Sequence, residues 1–307
     1  MVFRSHLVSA ATSPFAHAPY PLANSLDYRG DPGLFGPNSV SWRVLGDVSS
    51  MVGGIRALVV QGAHPEVVAG VADHSHYRDD PLGRLSRTSA YVTASTFGAG
   101  PEVEQAVAVV RAAHRVVHGR SHRGRPYSAT DQALAAWVHN VLTDSFLSAY
   151  RHFGPQRLTR SEADQFVLEQ SRLGRMLDAH PLPETAETLA TWIRDHPDLG
   201  PSPGMVEAMR FLGRPSGLGP GQAIGYRILF AAAVATLPAR LTQLLGAEPR
   251  PQAEIAGRNL VRALRWALGS SPSWHLALIR MGAAVPPGLF RQPLPIDTEV
   301  GATGRRK

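Results

Sequence analysis

The chain reads as an all-α protein: a single multi-helix domain of about ten to twelve helices. Three observations predict this. Apolar residues recur at helical spacing from Ser39 to Met281. Helix starts and stops punctuate that stretch at short intervals. Strand-like alternation and the Asn-Gly or Asp-Gly pairs of tight hairpins are scarce.

The elements follow in order. Residues 1–37 are rich in Pro, Gly, Ser and Ala and lack periodicity. They predict an irregular N-terminal arm draped over the fold. Asn38 or Ser39 caps a first helix carrying Trp42 and Leu45, which Gly53 and Gly54 are expected to break. Residues 55–60 are apolar apart from Arg56, so they form a buried segment. Asp80 before Pro81 is a helix start, a capping carboxylate followed by Pro at the first helical position, and that helix runs to Phe97. Pro101 and Glu102 open the next, which the periodicity extends to Gly119, followed by a polar loop over 121–127. The longest apolar-periodic stretch is 129–153, stopped by Gly154 and Pro155. Leu158-Thr-Arg-Ser-Glu and Pro183-Glu-Thr open two more helices. Further helical stretches fall at 205–212, 222–237, 239–245, 253–268 and 274–281. No repeat or long linker divides 38–285, so it is one domain. The tail, 286–307, is Pro/Gly-rich and then basic.

With 307 residues, 44% of them hydrophobic, the chain has ample material for a core. It has no cysteine, which excludes disulfide scaffolds, zinc fingers, thiolate ligation and cysteine nucleophiles. The formal charge is +7, but the only Lys is Lys307, and Arg305, Arg306 and Lys307 supply three of the seven charges. The remaining Arg are scattered singly through apolar segments, so no nucleic-acid partner is expected. The start lacks the apolar core of a secretory signal, and the longest apolar run, 228–237, is too short to span a bilayer. The expectation is a cytoplasmic protein with no integral membrane segment. Its oligomeric state is not legible.

Four constellations bear chemistry. On helix 101–119, Val103, Val107, Val110 and Val117 form one stripe, and His114 falls on it. An imidazole there is either a hydrogen-bonded core histidine or a ligand to something apolar. His118, four residues on, would make a two-imidazole metal pair. Arg111 and Arg115 would repel a cation and attract an anionic cofactor. On helix 81–97, Arg84, Arg87, Thr88, Tyr91 and Ser95 form a polar stripe. No acidic residue lies between Asp80 and Glu102, so the stripe is either a solvated face or a site for an anion. His64, His74 and His76 cluster nearby in sequence, with His64 at a helix start before Pro65. His139, after Trp137-Val138, sits on a second apolar face and should be buried. Phosphate-binding loops and the G-x-S-x-G elbow are absent.

The run GGIRALVVQGAHPEVVAGVADHSHYRDDPLGRLSRTSAYVTASTFG resembles the MpaB-type oxygenases, which include the catalytic domain of latex clearing protein, a bacterial rubber oxygenase. The likeness continues in VRAAHRVVHG and YSATDQALAAWVHNVLTDSFLSAY and spans roughly residues 41–240. Its specificity lies in the order of A-L-x-x-Q-x-A-H-P, D-H-S, D-P-x-G-R-L-x-R-T, H-x-x-V-x-G and W-V-H.

The resemblance implies a helical bundle holding haem b in its pocket, with dioxygen as co-substrate. It implies oxidative cleavage or oxygenation of a small apolar, alkene- or isoprenoid-like substrate. The proximal iron ligand corresponds to His114, with His118 the alternative if the preceding loop aligns differently. Arg84, Arg87 and Thr88 correspond to the distal pattern, and Arg111, Arg115 and His139 become candidate cofactor contacts. Where the rubber oxygenase has a distal Lys, this chain has Arg87, and a guanidinium is a poor iron ligand. The carboxylate base of the rubber branch has no equivalent assigned here. Two other readings stand beside this one. One is a haem- or ligand-binding helical module without turnover, the other a non-haem metal enzyme using His114 and His118. The expected substrate walls are Val107, Val110, Val138, Leu142 and Phe146.

Overall fold

The computed structural model describes residues 2–75 and 77–296; His76 and the basic end of the tail lie outside them. Among the described residues are fourteen α-helices and one two-stranded hairpin, so the all-α reading holds.

The centre is the pairing of α3 (Ser50–Gln61) with α7 (Gln132–Phe153). The expected break at Gly53 and Gly54 does not occur: α3 runs through both. The glycine serves packing instead. A Cβ at Gly53 would lie 2.7 Å from Phe146 Cδ1 and 3.0 Å from Phe146 Cα, so its absence lets α7 lie against α3. Arg56, buried as expected in this layer, donates to Asp144 at 2.7 Å and to Ser145 Oγ at 2.8 Å.

The caps read from sequence at Ser39 and Asp80 are realised, and further side-chain caps open other helices. Ser39 Oγ accepts from the Trp42 amide at 3.2 Å and opens α2 (Val40–Leu45), which ends at Gly46. Asp80 accepts from the Gly83 amide at 2.9 Å and opens α5 (Pro81–Phe97). Asp131 caps α7, and a Thr159–Glu162 capping box opens α8 (Arg160–Met176). Thr185 caps α9 (Ala186–Arg194) and Ser202 caps α10 (Pro203–Gly213).

Two regions differ from expectation. The arm begins with a helix, α1 (Val2–Thr12), whose Leu7, Val8 and Ala11 join a second apolar cluster. That cluster is built on α11 (Pro220–Ala235) and α13 (Ala253–Leu268). Small Ser, Ala and Thr residues dilute the stripe of α1, and the surfaces of α13 and α11 give it partners. Helix α6 covers Gly100–His114 rather than reaching Gly119. After His114 the chain turns into β1 (His118–Arg120), which pairs antiparallel with β2 (Pro126–Ser128). The β-branched Val116-Val117 pair before Gly119 suits a strand approach as well as a helix, and the hairpin's docking on α4 (Pro65–His74) decides between them.

The remaining helices, α12 (Ala239–Leu244) and α14 (Pro272–Met281), close the bundle. From α14, the buried Arg280 donates to the carbonyls of Asp31, Phe97 and Gly98 and to Ser25 Oγ, fastening the irregular part of the arm to the end of α5.

Candidate functional site

Helices α5 and α6 form a hairpin, and α5 is the chief partner of α6. The valine stripe divides along its length. Val103 and Val107 are core, whereas Val110, His114 and Val117 are half-buried. The His114 ring makes no hydrogen bond or ion pair among the described residues, and burial holds its pKa below the ordinary histidine value. It is therefore neutral at physiological pH, with a ring nitrogen lone pair available.

On α5, Arg84 is half-buried and donates to Ser75 Oγ. Among the described residues no carboxylate pairs with it, and desolvation holds its pKa below the usual guanidinium value. A partly desolvated cation without a counter-ion is costly unless an anion joins it. Two helical turns further on, Tyr91 has a buried hydroxyl with no partner among the described residues, and burial pushes its pKa up. Thr88 is exposed and donates to the Arg84 carbonyl at 3.0 Å, leaving its oxygen lone pairs free to accept. Ser95 closes the stripe by donating to the Tyr91 carbonyl at 2.8 Å.

Other expected site residues are engaged elsewhere. Arg87 is exposed and pairs with Asp80 at 3.1 Å, across the first two turns of its own helix. Arg111 pairs with Asp178 at 2.7 Å and donates to the Met176 carbonyl at 3.1 Å, tying α6 to the end of α8. Arg115 is the exposed residue that ends α6. His139 is buried as expected, but against α8. Its ring abuts Gly174 and hydrogen-bonds the Gln170 backbone, and burial lowers its pKa to about 4. Of the expected walls, Val107 and Phe146 are core and Val110, Val138 and Leu142 are half-buried.

The two-imidazole helical pair is corrected. His118 opens β1, is exposed, and no longer shares a helix with His114, so the neighbouring-turn spacing that would place both on one ion is lost. Its carbonyl instead lies 3.0 Å from His74 Nε2. A grouping that the sequence reading missed lies near α4, where His64 meets His196 and Asp198 from the loop after α9. The His-Pro-Asp run at 196–198 is visible in sequence, but nothing local ties it to His64.

The architecture is that of an all-α protein in which, among the described residues, α5 carries a guanidinium without a carboxylate partner and an unpartnered phenol, and the paired α6 carries an imidazole without a hydrogen bond. The family described as "ER-bound oxygenase mpaB/B'/Rubber oxygenase, catalytic domain" matches residues 42–266, from α2 into α13. The chain belongs to that family and is an oxygenase. Neither a curated protein nor a solved structure matches it. No helix among the described residues is long and apolar enough to cross a membrane.

Proposed function

We propose that the protein is a haem b-dependent oxygenase that uses dioxygen on a small apolar, alkene- or isoprenoid-like substrate, with His114 as the residue that would hold the iron. The observation that carries this reading is the unengaged, half-buried His114 ring on a valine stripe, with the unpaired Arg84 on the neighbouring helix. The residues fit the group. Haem b is an apolar disc with two carboxylate arms; the α6 stripe supplies an apolar flank and a neutral nitrogen donor, and Arg84 on α5 is a cation lacking a carboxylate. When bound, haem supplies the redox-active iron that the oxygenase reaction needs.

In this reading the chain's own residues contribute as follows. His114 is neutral because it is desolvated, which is the form that ligates. Arg84 would hold a carboxylate through charge-assisted hydrogen bonds, and Tyr91 Oη has a proton to donate within the same stripe. Thr88 offers lone pairs on the exposed side. Val107, Val110, Val138 and Leu142 carry no charge and favour an apolar substrate shielded from bulk water. Arg87 is assigned no catalytic role, because its guanidinium serves the Asp80 pair.

Spectra of the haemin-loaded protein test this. The wild type should show a Soret band with stoichiometric haem. His114→Ala should lose or loosen it, His118→Ala should keep it, and Arg84→Ala should weaken retention while the protein stays folded. Full retention with an unchanged spectrum in His114→Ala would overturn the assignment. Incubation of the loaded enzyme with oxygen and short isoprenoids should yield aldehydes or ketones by mass spectrometry. Turnover of a polar metabolite in place of any alkene would overturn the substrate class.

A further inference from the structure

We propose that His64, His196 and Asp198 form a second site, separate from His114, for a divalent ion of the zinc type. Backbone geometry brings them together. His64 is the residue before α4, and the loop carrying His196 and Asp198 is stitched to its neighbour by the Gly200 amide donating to the Ala63 carbonyl at 3.2 Å. One donor atom from each of the three side chains lies within 4.8 Å of the others. Ligand bonds of about 2.0–2.2 Å set tetrahedral donors roughly 3.4 Å apart, so binding asks for a closure of at most about 1.4 Å.

The donor set is incomplete without an ion. His64 is 3% exposed, and its Nδ1 is buried without a hydrogen bond. The nearest carboxylate oxygen, on Glu66, is 3.4 Å away. Glu66 is already engaged by Ser121 at 2.8 Å and Arg123 at 2.7 Å. A buried polar atom left unsatisfied calls for a partner. The His196 ring is held in place by edge contacts with Trp192 and Trp137, at 4.7 and 5.0 Å between centroids. Ligation by His196 Nε2 moves the ring proton to Nδ1 and gives up only a long 3.3 Å contact from the Asp198 amide. Asp198 is half-exposed and binds Arg125 through one oxygen at 2.8 Å, which leaves its second oxygen free to ligate. Two imidazoles and one carboxylate form a set that zinc accepts, with a fourth position left for water.

The test uses the full chain, stripped with a chelator and dialysed against ZnCl2, with zinc and iron counted separately in each sample. The wild type should retain about one zinc per chain and unfold at a higher temperature with zinc than without. Asp198→Asn and His196→Gln should each bind at least about tenfold more weakly, with the helical circular dichroism unchanged. Arg125→Ala, which removes a competitor for Asp198, should bind at least as tightly as the wild type, and His114→Ala should bind zinc like the wild type. If His196→Gln fails to fold, the half-exposed Asp198→Asn decides. The site is overturned if the wild type holds no stoichiometric zinc, if both ligand variants bind like the wild type, or if zinc is lost with His114.

Discussion

His139 shows what burial alone does to a titrating group. The unfolded chain takes up its proton near the ordinary histidine value of 6.5, whereas the folded protein refuses it until about pH 4. The unfolded state therefore binds more protons across that window, and stability falls as the pH drops through it. It is fully present above 6.5 and declines by at most about 1.4 kcal/mol per pH unit toward 4. His139→Gln should flatten this part of the profile. Denaturant midpoints at pH 7.5 and 5 would measure it, and identical slopes in the two proteins would refute the assignment. The burial of His139 was legible from the two apolar faces of its helix. Its packing into the notch at Gly174 of α8 was not, because a notch is a property of two helices. The same holds for Arg87. Sequence left its stripe open between a solvated face and an anion site, and the structure gives Arg87 to the Asp80 carboxylate already capping that helix.

At the scale of elements, α3 shows why glycine is an ambiguous signal. Gly53 and Gly54 look like a break, and both are helical. Their environments differ: the space over Gly53 is filled by Phe146, and nothing lies within 4 Å of a Cβ at Gly54. Gly53→Ala should therefore destabilise by about 1–3 kcal/mol through overpacking, despite alanine's better helix propensity. Gly54→Ala should stabilise by up to about 1 kcal/mol. Thermal unfolding of the two variants separates them, and shifts of the same sign would sink this account. Helix starts were legible because a cap is a local device, one side chain bonded to an amide two or three residues on. The end of α6 was not. The valine periodicity continues past His114, and only the hairpin's contact with α4 ends the helix there.

For the whole molecule, Arg280 is the fastening. It is 2% exposed, donates to acceptors from the arm and from the end of α5, and lies 3.7 Å from Glu102, itself buried with its pKa raised by desolvation. Arg280→Met should destabilise by about 3–5 kcal/mol, because it strands a buried carboxylate and several carbonyls. The arm around residues 20–37 should then become the first site of limited proteolysis. An unchanged melting temperature together with an unchanged cleavage pattern would remove Arg280 from this role.

The sequence by itself determined the all-α class, most helix boundaries, the family, and the residues that make His114 and Arg84 candidates. Each of these rests on short-range signals, such as helical periodicity, caps and ordered motifs, that a linear reading contains. Tertiary structure decided which half of the valine stripe is core, that α1 exists, that His114 and His118 part company, and that His64 meets His196 and Asp198. Those outcomes depend on which surfaces lie together once distant segments close. The entropy of that closure is offset by buried apolar area summed over the whole bundle, a quantity no local window carries.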